Sequence, residues 1–439
     1  MPTFPPDSLL ELVPTLTDRV VRPPLIVFSH LRWSFVFQRP EHLLIRLAHR
    51  FDVYFVEEPV FAEGVPALMS ATHQNGVEVL TPRTPVFAPG FHDEQLAVLA
   101  PLMQEFLAAR QLSEPIVWLC TPLALPLVAD LEPRALVYDC IDAPAARRSA
   151  PPQLAAREAA LLELADVVVT GGPSLHEALR GRHPNLHCVP SGVDAAHFEP
   201  SGLEGGDVES AAATQLHRGM PHPRLGFFGV IDERLDLDLV ANIAALRPDW
   251  QIVMVGPVVR IDPAALPQRP NIRWVGLQRH EALPHVMAQW DVCLLPFVLD
   301  EATRFINPAG ILEYLAGGKP VVSTPIPDTV SLYASVLRIG STAEDFVAAV
   351  EATLAESPGA IADRRARAKA LVDACTWDGA ANTVAGLLLE YVGGTPAASI
   401  VLREPLFDAA PPIGTQADAV PQAIPPERAG QPTRPLAAM

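Results

Sequence analysis

The chain has 439 residues, 49% apolar and 19% charged, with a formal net charge of −18. That length allows two domains with large cores, and the acidic balance excludes a nucleic-acid surface and simple electrostatic attachment to anionic lipid. Cys120, Cys140, Cys188, Cys293 and Cys375 form no C-x-x-C pair, so they read as buried thiols in a reducing compartment, not as a disulfide set or zinc site.

Residues 1–22 are Pro-bearing and weakly patterned, which predicts a flexible arm. They lack a basic start followed by an apolar stretch, so no signal peptide is expected. Residues 25–28 predict a buried parallel strand with Ser29 and His30 at its polar tip. Arg39-Pro40-Glu41-His42 opens a helix, with Pro40 in the first turn and Leu43, Leu44 and Leu47 on one face. Strands follow at 53–56 and at 77–80, the second alternating as an edge strand would. A helix at 93–111 precedes strands at 116–119 and 135–138, and the latter runs into Asp139-Cys140-Ile141-Asp142. A helix at 154–165, a strand at 167–170, a helix at 174–179 and a strand at 186–190 complete an alternation that marks an open parallel sheet.

Residues 201–222 interrupt the pattern with Gly and small polar residues and read as a linker. Strands are then expected at 224–228, 251–255, 272–275 and 292–295, with helices at 235–246 and 280–289 between them. Helices at 345–355, 361–374 and 378–392 follow, and from 398 to 439 the Pro-, Ala- and Gln-rich composition predicts a disordered tail. The domains are therefore expected at 23–200 and 223–376, with 377–397 as a closing helix. No apolar run is long enough for a membrane span. The cytoplasm is the expected location, and loose contact with the inner membrane face is left open.

The stretch 304–324, RFINPAGILEYLAGGKPVVST, has both helix ends written into it. Asn307 is a good N-cap, Pro308 suits the first helical position, and Gly317-Gly318 supplies a left-handed exit. Pro320-Val321-Val322 begins a strand that Pro325 and Pro327 close. Gly310 cannot complete a capping box, so the helix start is expected to keep free N–H groups as a seat for phosphate. Glu313 stands a turn later among Leu312, Tyr314 and Leu315. It either faces solvent on an amphipathic helix or finds partners such as sugar hydroxyls.

The run Asn307-Pro308-Ala309-Gly310-Ile311-Leu312-Glu313-Tyr314-Leu315-Ala316-Gly317-Gly318-Lys319-Pro320-Val321-Val322 resembles the nucleotide-binding helix of GT-B glycosyltransferases, in particular the family 4-like group that uses nucleotide-sugar donors. The resemblance implies an α/β fold of two Rossmann-like parallel-sheet domains facing across a cleft, and a role for Glu313 on the donor ribose. Where the family has a Lys for the diphosphate this chain has Gly310, and where relatives have a second Glu it has Phe305, with Glu301 nearby. Ser191-Gly192-Val193-Asp194 through Phe198 is similar to the turn that closes the family's first domain. The helix after Trp377 resembles the segment that crosses back to brace that domain. Together these extend the likeness from Pro24 to Val392.

By the same resemblance, Gly229 and the Gly276-Leu277-Gln278 loop, beside Gly256-Pro257, are donor-side residues. Arg234 and Arg304 are candidates for the cation that Gly310 withdraws. His30, Arg32, Trp33 and Arg39 would form an acceptor wall, with Asp139 and Asp142 ending another strand on the same cleft. His30 and Asp142 are the candidate catalytic groups. Ordinary turns, surface salt bridges, a satisfied core histidine and helix caps are the competing readings. The expected activity is retaining transfer from a nucleotide-sugar donor to a glycan, lipid or small-molecule acceptor. Neither cofactor nor metal is expected, since the only D-x-D in the second half, Asp236-Leu237-Asp238, falls in a helix. A nucleotide-sugar epimerase and a non-catalytic nucleotide- or glycan-binding paralogue are the rivals.

Overall fold

The computed structural model describes residues 22–73, 75–143, 150–200 and 208–392. The expected arm up to 21, the first part of the expected linker and the expected tail lie outside the described residues. The first sheet contains β1 (Pro24–Phe28), β2 (Asp52–Val56), β3 (Val60–Phe61), β4 (Ala67–Thr72), β5 (Glu78–Thr84), β6 (Ile116–Leu119), β7 (Ala135–Cys140), β8 (Val167–Thr170) and β9 (Leu186–Cys188). Their order is β3-β5-β2-β1-β6-β7-β8-β9, parallel throughout, with β4 added antiparallel to β5. The second sheet contains β10 (Arg224–Phe228), β11 (Gln251–Val255), β12 (Ile272–Gly276), β13 (Val292–Leu295), β14 (Val321–Ser323) and β15 (Arg338–Ile339). Its order is β12-β11-β10-β13-β14-β15, again parallel.

The central strands are continuous apolar runs because helices cover both faces. Leu25, Ile26, Val27 and Phe28 are all fully buried, and their side chains divide between two cores on opposite faces of the first sheet. In each sheet the first strand has a neighbour reached in either direction, β2 and β6 for β1, β11 and β13 for β10. Such switch points leave a crevice beyond the strands' carboxyl ends.

Four sequence expectations change. Residues 77–80 are not an edge: β5 lies between β2 and the β3/β4 pair, with Val79 and Leu80 buried. The alternation reflected a strand that continues through Pro82, not a solvent face. The expected linker contains a helix, Val208–Leu216, which buries only Ala213 and so showed no apolar period. The helix expected from Asn307 begins at Gly310 and ends at Ala316. Finally, Pro327 does not merely close a strand; it starts the helix Pro327–Tyr333.

The last helix, Trp377–Leu389, belongs to the first domain's core. Trp377, Ala381, Val384, Ala385 and Leu388 pack with Leu43, Leu47, Val137 and Val169, and His42 stacks on Trp377 at 4.5 Å. The chain returns beside its outward crossing: the Val193 N–H donates to the Cys375 carbonyl at 3.0 Å, and Val193 bridges Thr376. Gly192 is required there, because a Cβ would lie 2.4 Å from the Thr376–Trp377 peptide. Among the described residues, no helix is long and apolar enough to cross a membrane.

Candidate active site

Glycines end β10, β11 and β12. Gly229, Gly256 and Gly276 have φ of 150°, 144° and 79°, a region that L side chains avoid. Backbone hydrogen bonds tie them together: Gly229 N donates to Val255 O at 3.0 Å and Gly256 N to Gly276 O at 2.9 Å. A Cβ on Gly256 would stand 1.7 Å from the Gly229 carbonyl oxygen. The edge of the second sheet is therefore a backbone floor without side-chain bulk, which a ligand can approach closely. Gln278 folds its amide back on the Leu277 carbonyl at 3.0 Å, beside this floor.

The helix Gly310–Ala316 stands next to it. Tyr314 fixes the position: its fully buried hydroxyl accepts from Phe228 N at 2.9 Å and donates to Phe228 O at 3.3 Å, at the last residue of β10. Glu313, the preceding residue of the helix, is thereby held near the end of β10. Its Oε2 lies 4.0 Å from the position a Cβ on Gly310 would take. Glu313 is half-buried, and its side chain makes no hydrogen bond or ion pair among the described residues. Burial, with Asp194 adding like charge, pushes its carboxyl up to about 7. This is a carboxylate that lacks a partner in a partly desolvated place.

The helix start differs from expectation. Pro308 and Ala309 already have carbonyls that accept, from Ile311 N at 3.2 Å and Leu312 N at 3.1 Å. Two amides expected to be free are thus used in a tight first turn. Asn307 is no cap; its Nδ2 reaches the Gly171 carbonyl of the first domain at 3.3 Å. Gly310 has no backbone need to be glycine, since a Cβ there would meet its neighbours only at ordinary contact distances of 3.8–4.0 Å.

Of the two candidate arginines, only Arg234 belongs to the cleft. Its Nε and Nη2 grip Asp232 at 2.7–3.0 Å, and Nη1 makes no hydrogen bond among the described residues. Burial opposes its charge, but Asp232 and, across the cleft, Asp142 hold its pKa above the usual value. Arg304 pairs with Glu301 at 3.3 Å on the surface and lies over Phe305, so the structure does not bring it to the donor edge. Asp236 caps the helix Leu237–Leu246 by accepting from Leu239 N at 2.8 Å, which accounts for the D-x-D run.

The expected acceptor wall is largely structural. Arg39 and Asp139 form a buried pair at 3.1 and 3.3 Å, and Arg39 Nη1 donates to the Val189 carbonyl at 2.8 Å. Their charges are spent on each other and on tying three chain segments together. Trp33 is buried edge-on against Phe55 and is core, not wall. Arg32 turns to Glu57 at 3.3 Å, where Glu57 also accepts from Trp33 N and Thr81. His30, half-buried at the tip of β1, and Asp142, beyond β7, remain at the strand ends. Sequence reading missed Glu58, pushed up to about 7 by burial against the opposing pull of Arg32 and of Arg260 from the second domain. Its signal was two consecutive acids at the exit of β2.

Residues 222–356 match the family model described as Glycosyl transferases group 1. Over 280 residues the chain is 27% identical to TuaH of Bacillus subtilis (strain 168), described as a teichuronic acid biosynthesis glycosyltransferase; the match covers 59% of this chain and 68% of TuaH. Among solved structures, the sucrose-phosphate synthase of Thermosynechococcus elongatus matches with a TM-score of 0.66 at 17% identity, covering 84% of this chain and 99% of its own. The Anabaena protein HepE, solved with UDP and glucose, matches with a TM-score of 0.62 at 16% identity, covering 84% of this chain and all of its own (100%). At these identities the structural likeness shows the fold alone: two Rossmann-like domains facing across a cleft.

Proposed function

We propose that this chain, a glycosyltransferase of the GT-B fold, moves a sugar from a uridine diphosphate donor to a hydroxyl of a surface-polysaccharide glycan, with retention and without a metal ion. The observation that carries the reading is Glu313, a half-buried acid with no protein partner, fixed by Tyr314 beside the glycine floor. Ribose hydroxyls donating to it would supply the missing hydrogen bonds. The base would lie on the Gly256 and Gly276–Gln278 backbone, and the diphosphate near Gly229, Gly310 and Arg234. The uridine choice is supported by the bound nucleotide in HepE, and the acceptor by the pathway named for TuaH. Retention is what the resemblance to the family 4-like group implies.

The leaving diphosphate needs charge stabilisation, and Arg234 has a guanidinium N–H to spare. Asp142, near Arg234 across the cleft, and His30 would orient the acceptor hydroxyl. Glu58 would complete that side. Closure of the cleft would expel water so that transfer outruns hydrolysis.

A thermal-shift screen against UDP-, GDP- and ADP-linked sugars tests the donor. Saturation at a hundred times Kd with a UDP-sugar adds about 2.7 kcal/mol of stability, and release of UDP on addition of a cell-wall glycan extract then follows. Failure of every nucleotide sugar to bind overturns the reading. Binding without turnover favours the non-catalytic rival, which the missing Lys at Gly310 supports. The Gly310→Lys variant separates these: its Cβ fits, and a charge-assisted contact to the diphosphate is expected to tighten donor binding by roughly 1.5–3 kcal/mol, measured calorimetrically.

A further inference from the structure

Ser174 and His176 of the first domain meet Asn307, Asp328 and Thr329 of the second in a contact made by polar side chains. Among the described residues, His176 Nδ1 and Thr329 Oγ1 are buried there without a hydrogen-bond partner. The contact itself is specific. Ser174 N donates to Asp328 Oδ1 at 2.9 Å, so an acid of the second domain caps the helix Pro173–Leu179 of the first. Asn307 Nδ2 donates to Gly171 O at 3.3 Å. Asp328 is 1% exposed, an unusual place for a carboxylate with no cation on it, and burial raises its pKa.

Gly172 lies under this carboxylate. A Cβ there would stand 2.1 Å from Asp328 Oδ2 and 3.1 Å from the Asn307 Cβ. Yet its φ of −164° and ψ of 161° are extended backbone that any residue adopts. Its own loop does not require glycine; the approach of the other domain does. A permanent seam would bury apolar groups or satisfied polar ones. Here the groups that meet are polar, and separation of the domains would return them to water, so the contact is close in free energy to its own release.

We infer that Gly172, Ser174, Asn307 and Asp328 form a releasable latch that holds the two domains in the arrangement seen here, and that Asn307 couples it to the helix carrying Glu313. The inference rests on the proposed function in one respect, that the cleft so closed is where transfer occurs. Asn307 and Asp328 are then positioning residues, not catalytic ones.

Gly172→Ala is the test, because the atoms nearest to the new methyl group belong to the opposite domain. Small-angle scattering is expected to show a larger radius of gyration than wild type, with and without UDP-glucose, at an unchanged thermal midpoint. Donor Kd should stay within about twofold, and kcat should fall at least about tenfold as the closed population shrinks. Asp328→Ala, which removes the acceptor without adding bulk, should shift the scattering in the same direction and serves if the first variant fails to fold. Wild-type scattering profiles from both variants would overturn the latch. Because scattering needs no turnover, that failure is distinct from an error in the assigned activity.

Discussion

Binding of a uridine diphosphate sugar is expected to release protons near neutral pH, and Glu313→Gln is expected to abolish that release. In the free protein the Glu313 carboxyl titrates at about 7 because burial, and secondarily Asp194, disfavour its charge. Ribose hydroxyls donate best to the ionised form, so the bound complex holds its proton less tightly than the free protein. Donor affinity should therefore rise as pH increases from about 6 to 8 and level off above. Calorimetry in buffers of different ionisation enthalpy measures the proton count directly. Glu313→Ala should weaken binding by roughly 1–3 kcal/mol at pH 8, with a smaller loss at pH 6. A pH-independent affinity in the wild type would remove Glu313 from the donor site. Stability without ligand runs the other way. The folded pKa lies above the unfolded value of 4.5, so the folded state binds the proton more tightly and its stability declines as pH rises between about 4.5 and 7. The Gln variant should lack that decline.

Asp139→Ala is expected to cost about 3–5 kcal/mol, a large share of the total for a protein of ordinary stability. The side chains of Arg39 and Asp139 are only 6% and 2% exposed, so removing the acid leaves a guanidinium buried with one carbonyl acceptor, Val189 O. The whole pair is worth far less than either half. Replacing it with Arg39→Met and Asp139→Leu should recover most of the loss, because two desolvation costs disappear with the attraction. Urea titrations of the single and double variants decide this. A single variant within 1 kcal/mol of wild type, to order of magnitude, would mean that water reaches the pair.

The regular parts of this fold were open to sequence reading because their cause is local. β6, β8, β10, β11 and β13 are short apolar runs ended by Gly, Pro or charge, and the expected bounds match the observed ones. Tyr314 and Glu313 were legible through a helix with a distinctive exit. What escaped depends on partners distant in sequence. Arg39 meets Asp139 a hundred residues away, and nothing near either residue indicates that the two would neutralise each other and leave the acceptor wall. Asn307 had the composition of a cap, but Ala309 takes up helical backbone just before the regular helix begins, and the Asn side chain is drawn to Gly171 instead. Glu58 is raised by burial against the pull of Arg260, a residue of the other domain that no local pattern places beside it.

The position of Trp377–Leu389 bears on how this protein is made. A ribosome releases 23–200 long before the helix that finishes its core. Leu43, Leu47 and their neighbours must stay uncovered until nearly the whole described chain has emerged. The second domain, contiguous in sequence and with its own core, can fold meanwhile. The nascent chain is thus expected to mature from its later half backwards, presenting an oily flank to chaperones in the interval.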